Sequence, residues 1–195
     1  LKSWLESQGE TVLLSREPGG TDLGQGLRKI LLGHETGNIS PRAEALLYAA
    51  DRAHHVYSVI RPALTAGQVV ISDRYFDSSI AYQGAGRILS PGEVARISRW
   101  ATESLFPTLT IIIDLPAEIG IGRLQNPDRL ESEPLAFHER VRQEFLQIAQ
   151  LDPERYLVID GTKSIDEIHA AIIARVGELP ALTKTEKPAK KIFKR

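Results

Sequence analysis

Polar and apolar positions follow two rhythms along this chain. Four short runs are almost wholly apolar and rich in β-branched residues: 11–14, 69–71, 109–115 and 156–160. Unbroken apolar runs of this length, without period-two alternation, predict strands covered on both faces. Between them lie longer stretches with helical period and clear punctuation. Ser40-Pro41 opens a helix that runs to about Thr65, before Gly67. Ser90-Pro91-Gly92-Glu93 and Ser164-Ile165-Asp166-Glu167 each read as a capping box opening a further helix. Strands separated by helices imply crossovers, and so an α/β three-layer sandwich: a doubly wound parallel sheet with helices on both faces. The first residues differ. Leu1, Trp4 and Leu5 share one helical face that stops at Gly9, as the last turns of a helix do, so the run at 11–14 is expected to be the second strand of its sheet.

Composition narrows the classes. The 195 residues suffice for one domain, expected over 1–179, with a core of its own. A net charge of -1 argues against a general polyanion-binding surface, and hence against nucleic acid as a partner. No apolar run approaches the roughly 18 residues of a membrane span, and residues 1–15 lack the signal-peptide pattern, so a cytoplasmic protein without membrane contact is expected. The absence of cysteine removes disulfides, thiol chemistry and cysteine-based zinc sites. Methionine is absent too, even at position 1, which points to a truncated start or to residues lost in processing. Residues 180–195 are lysine-rich without apolar period and read as a solvated, flexible tail.

Chemistry concentrates in four segments. Residues 72–83, Ser-Asp-Arg-Tyr-Phe-Asp-Ser-Ser-Ile-Ala-Tyr-Gln, leave the end of a buried strand, where open α/β sheets place ligands, and Arg74 offers a fork that matches phosphate oxygens. Read alone, Asp73-Arg74 has a second reading, a surface ion pair closing a strand. Residues 15–21, Ser-Arg-Glu-Pro-Gly-Gly-Thr, follow the first strand and combine glycines that permit close backbone approach with charged neighbours; an ordinary turn into a helix reads as well. Tyr48 and Arg52 lie four apart on one helical face, an arrangement suited to stacking a nucleobase and reaching its carbonyl oxygen, or to a core tyrosine beside a surface arginine. Residues 122–134, interrupted by Pro127 and carrying Arg123 and Arg129, have the polar character of a lid.

Together these segments resemble the thymidylate kinases, members of the P-loop nucleoside monophosphate kinases, over about residues 1–177. The resemblance implies phosphorylation of dTMP to dTDP by ATP with Mg2+, in a homodimer. It implies that Tyr48 stacks on thymine, that Arg52 bonds the base, and that Arg74 grips the monophosphate, with Asp73 near the magnesium and phosphates. Ser78, Ser79, Tyr82 and Gln83 are expected along the base and deoxyribose, with Glu17 and, less directly, Arg28 in the same substrate site. Phosphoryl transfer is catalysed mainly by positioning and by cations around the transferring group, so lid arginines matter. Arg129, in an Asp-Arg-x-Glu pattern with Glu131, is the favoured catalytic arginine, and Arg123 is the second candidate, with a helix C-terminal charge as its other reading. Asp160 and Thr162 fall where the family's adenine rests.

One departure stands out. No Gly-x-x-x-x-Gly-Lys-Ser/Thr occurs, although such a kinase needs those backbone amides and that lysine for the ATP phosphates. The expectation is that the first strand and this loop precede Leu1, and that residues 1–195 alone are inactive. The alternatives are another deoxynucleotide or deoxynucleoside kinase, or a non-catalytic nucleotide-binding protein.

Overall fold

The structure is a computed structural model and describes residues 1–180, so all but the first residue of the expected tail lies outside the described residues. Helix α1 (Lys2–Ser7) turns through Gly9, at φ 88°, into β1 (Val12–Arg16). Helices α2 (Asp22–Leu32), α3 (Pro41–His55) and α4 (Arg61–Thr65) then lead to β2 (Val69–Asp73). Helices α5 (Phe76–Ser79) and α6 (Pro91–Ala101) lead to β3 (Thr110–Asp114). Helices α7 (Ala117–Gly122) and α8 (Leu135–Leu151) lead to β4 (Tyr156–Asp160), and α9 (Ile165–Gly177) follows.

All strand pairing is parallel and the strands carry helices on both faces, which is the expected α/β class. Pairing falls into two units, however: β1 with β2 from Val12↔Val69 to Arg16↔Asp73, and β3 with β4 from Thr110↔Tyr156 to Asp114↔Asp160. A polar cluster spans the two. Asp77 of α5, just past β2, accepts from Tyr156 Oη at 2.5 Å, from Thr110 Oγ1 at 3.3 Å and from the Arg155 guanidinium at 3.3 Å.

Local punctuation explains most boundaries. Ser164 and Glu167 form a complete reciprocal capping box. Ser90 forms half of one, accepting from Glu93 N without a return bond from Glu93. The helix expected from 41 to 65 is present without a break in the chain but contains a wide π turn over Val56–Ile60. Pro62 supplies the reason: lacking an N–H, it cannot complete the regular ladder just beyond that turn. A second π turn covers Ile80–Gly86, where Gly86 lies so close to α8 that a Cβ would meet the Phe137 ring at 2.7 Å. The core nearest the candidate site joins Leu31, Tyr48, Ala81, Leu130, Phe137 and Val141, so α2, α3, the second π turn, the 123–134 connection and α8 share one apolar centre. Among the described residues no helix is long and apolar enough to cross a membrane.

Candidate functional site

The strand ends set the site's floor. Glu17 N donates to Asp73 O at 2.9 Å, tying the loop after β1 to the end of β2, and Ser72 Oγ donates to Arg74 O at 2.8 Å. Arg74 adopts φ 65°, a left-handed conformation uncommon for a residue with a side chain. Its guanidinium lies over the Tyr82 ring, 5.0 Å from the centroid, and takes part in no ion pair among the described residues. The Glu17-Pro18 bond is cis.

Gly20 of this loop and Gly24 of α2 serve close packing against α3. A Cβ on Gly20 would come within 2.6 Å of His55 Nε2, and one on Gly24 within 2.4 Å of Asp51 Oδ1. The charges of the loop and of α3 meet at that contact. Glu17, 3% exposed, accepts from Arg52 Nε at 2.7 Å and from His55 Nδ1 at 2.9 Å, while His55 Nε2 lies 2.5 Å from Ser15 Oγ. Arg52 Nη2 also donates to Ser79 Oγ at 3.1 Å. Asp51 accepts from Gly19 N through Oδ1, and its Oδ2 is buried without a partner. Burial pushes the Asp51 carboxyl above the ordinary range, and the nearby Glu17 charge adds to that.

A second knot centres on Glu44, one turn before Tyr48 on α3 and fully buried. Arg87 clasps both its oxygens at 3.1 Å, Arg129 Nη2 reaches Oε2 at 2.5 Å, and Gln83 Nε2 donates to Oε1 at 3.0 Å. Burial opposes the Glu44 charge, but the bonds from Arg87, Arg129 and Gln83 outweigh it and hold the carboxyl below its ordinary pKa.

Between these two knots opens a cavity of about 250 Å³. Its walls include Tyr48 and Arg52 from α3, Asp73, Arg74, Ser78 and Ser79 from the end of β2 and α5, and Tyr82 and Gln83 from the π turn. Glu17, Pro18 and Arg28 close one side, and Asp128, Leu130 and Glu131 the other. Arg28 Nη1 is held by Pro18 O at 3.1 Å. Eleven of the expected residues thus meet in one place: Glu17, Arg28, Tyr48, Arg52, Asp73, Arg74, Ser78, Ser79, Tyr82, Gln83 and Glu131. The cavity combines an aromatic wall, cations and carboxylates, a composition suited to a phosphorylated, partly apolar ligand.

Four expected residues stand outside it. Arg129 does not line the cavity: Nε donates to Leu31 O at 2.8 Å and Nη2 to Glu44, so it fastens the 123–134 connection to α2 and α3. Arg123 caps the end of α7 with its side chain exposed. Asp160 Oδ1 accepts from Thr162 N and Oγ1 at 2.9 and 2.7 Å, closing a turn after β4. Glu44, Asp51 and His55 went unread in the sequence although, with Tyr48 and Arg52, they recur at helical spacing; a charged stripe along a buried helix face was the available signal.

Comparison with known proteins places this geometry. Residues 1–172 match the family model described as thymidylate kinase. A thymidylate kinase of Clavibacter michiganensis subsp. michiganensis is 54% identical over 185 residues, covering 93% of this chain and 87% of that protein. One of Leifsonia xyli subsp. xyli is 53% identical over 180 residues, covering 90% and 85%. Among solved structures, a thymidylate kinase from Ehrlichia chaffeensis superposes with a TM-score of 0.69 at 31% identity, covering 85% of this chain and 80% of that one. The chain belongs to the thymidylate kinase family.

Proposed function

We propose that this protein transfers the γ-phosphoryl group of ATP to dTMP, giving dTDP. The observation that carries the reading is the cavity itself, which places the uncommitted Arg74 cation, the Tyr48 ring and the Arg52 fork within one wall. In the proposed pose the pyrimidine stacks on Tyr48 and presents a carbonyl to Arg52, whose Nε is anchored by Glu17. Arg74 and Arg28 take the monophosphate, while Ser78, Ser79, Tyr82 and Gln83 surround base and deoxyribose. Of the two lid arginines, Arg123 is the one whose side chain is exposed, and we assign it to the charge that develops on the transferring group; Asp160 and Thr162 form the turn we assign to the adenine. Asp73 offers one exposed carboxylate, and no group of three His, Cys, Asp or Glu suited to a metal occurs among the described residues. That fits Mg2+, which keeps several waters and is held largely by substrate phosphates, where it would neutralise phosphate charge. Leu46, Tyr57 and Trp100 on α3, the following π turn and α6 are exposed at 57%, 76% and 80%, and we assign them to the interface of a homodimer, measurable by sedimentation. We place the protein in the cytoplasm.

The test is a coupled assay for ADP and dTDP with dTMP, dUMP and dCMP as acceptors, run on the complete protein with the glycine-lysine phosphate loop that residues 1–195 do not contain. Thymine and uracil present a carbonyl to Arg52 where cytosine presents an amine, so dTMP and dUMP should be phosphorylated and dCMP poorly. Equal efficiency for all three would remove Tyr48 and Arg52 from the base site.

A further inference from the structure

Glu17 meets Arg52 in an uncommon way. A carboxylate beside a guanidinium often takes two parallel N–H bonds from its fork. The buried Glu17 takes one: Oε2 accepts from Arg52 Nε at 2.7 Å, while Oε1 accepts from His55 Nδ1 at 2.9 Å. Nη2, the neighbouring arm of the fork, is turned instead to Ser79 Oγ at 3.1 Å and Tyr75 O at 3.5 Å, and Nη1 reaches Ser98 Oγ at 3.4 Å. These bonds use four of the five N–H donors of a guanidinium. One Nη1 N–H is left without a protein partner among the described residues, on a side chain that lines the cavity.

His55 denies Glu17 the second bond to Arg52. The ring is fully buried and fixed in place: a Cβ on Gly20 would lie 2.6 Å from Nε2, and Ser15 Oγ stands 2.5 Å from the same nitrogen. Its partners decide where the ring carries its proton. Glu17, paired with Arg52, only accepts, so Nδ1 must be the N–H. The Ser15 hydroxyl serves Nε2 in either state, donating to a bare nitrogen or accepting from a protonated one. Without the Nδ1 donor, Glu17 Oε1 would be a buried acceptor lacking a partner, and the fork of Arg52 offers the replacement. Taking it draws Nη2 from Ser79 and turns the guanidinium off the cavity wall.

We propose that His55 is a positioning residue for base recognition: its Nδ1–H occupies the second oxygen of Glu17, which confines Glu17 to one N–H of Arg52 and leaves the rest of the guanidinium to Ser79 and the ligand. The inference rests on the reading of the cavity as a nucleotide site with Arg52 at the base. Ser15 and Gly20 take an indirect part, since both act on Arg52 only by holding the ring.

Calorimetric titration of the complete protein with dTMP and dCMP tests it without relying on phosphoryl transfer. The readout is the ratio of the two affinities, because Arg52 meets a carbonyl in thymine and an amine in cytosine; the wild-type protein should favour dTMP at least about tenfold. His55→Asn keeps an amide N–H at the Nδ1 position, whereas His55→Gln moves it to the Nε2 position beside Ser15. The first should hold the wild-type ratio within about twofold, and the second should lower it at least about fivefold. Packing of the ring alone predicts the opposite order, since His55→Gln removes less volume. An unchanged ratio in a folded His55→Gln overturns the proposal, as does an equal fall in His55→Asn. Should a variant fail to fold, the wild-type protein still decides: a long-range proton–nitrogen NMR spectrum should show His55 protonated on Nδ1, and a bare Nδ1 overturns the proposal. Wild-type protein that binds neither nucleotide, or both alike, refutes the reading of the base site, and this inference falls with it. Binding of dTMP without turnover refutes only the kinase reading, and the ratios still judge His55.

Discussion

Arg74 joins an unusual backbone to an uncommitted charge. Its φ of 65° aims the side chain from the end of β2 across Tyr82, and among the described residues no carboxylate forms an ion pair with it, although the Asp73 charge favours the cation. A cation held this way, beside Arg28, is prepared for an anion. Arg74→Ala should weaken dTMP binding by about 10- to 100-fold, the range for a charge-assisted contact worth roughly 1.5–3 kcal/mol, with little change in melting temperature. Titration with dTMP checks it, and unchanged affinity would place the monophosphate elsewhere. At this scale the sequence was a good guide to who lines the cavity and silent on how those residues bond one another. Residue types that suit phosphates and bases announced themselves at strand ends and helix spacings. The sharing of Arg129 with Glu44, and of Glu17 with His55, depends on contacts between residues 85 and 38 positions apart, which no local pattern records.

Elements were legible wherever punctuation is local. The four strands among the described residues follow from apolar runs, the helix start at Ser40 from the proline after it, and those at Ser90 and Ser164 from capping side chains. The π turns at Val56–Ile60 and Ile80–Gly86 were not, because they answer to Pro62 and to the Gly86–Phe137 contact. The packing of α2 on α3 shows the same dependence and can be measured. Replacing a helical glycine by alanine ordinarily stabilises by about 0.5–1 kcal/mol, and Gly26, with nothing within 4 Å of an added Cβ, should behave so. Gly24→Ala should do the opposite. Its Cβ would lie 2.4 Å from Asp51 Oδ1, so α2 must move off α3 at a cost of about 1–3 kcal/mol. Thermal melts of the two variants should shift in opposite directions; two upward shifts would contradict the contact.

At the scale of the molecule, polar clusters join units that backbone pairing leaves separate. Asp77 connects the end of β2 to β3 and β4, and Asp77→Ala, which strands Arg155 and the Tyr156 hydroxyl, should cost about 3–5 kcal/mol in denaturant unfolding. Glu44 performs the corresponding service for the 123–134 connection, through Arg129. Its folded pKa lies below the ordinary 4.5, so the stability it contributes is present above that pH and is lost as the pH falls through the folded value. Protonation would then release Arg129, leaving the bonds of Asp128 and Glu131 to hold a turn no longer fastened to α3. Hydrogen exchange over residues 123–133 should accordingly quicken in Arg129→Met at neutral pH, while β1 and β2 stay protected. The wild-type protein should acquire the same local opening only in acid, after correction for intrinsic exchange, and the variant should show little further acid response there. Equal protection of the segment in both proteins at neutral pH would mean that Phe137 and Leu130, packed in the apolar centre, hold the lid without Glu44.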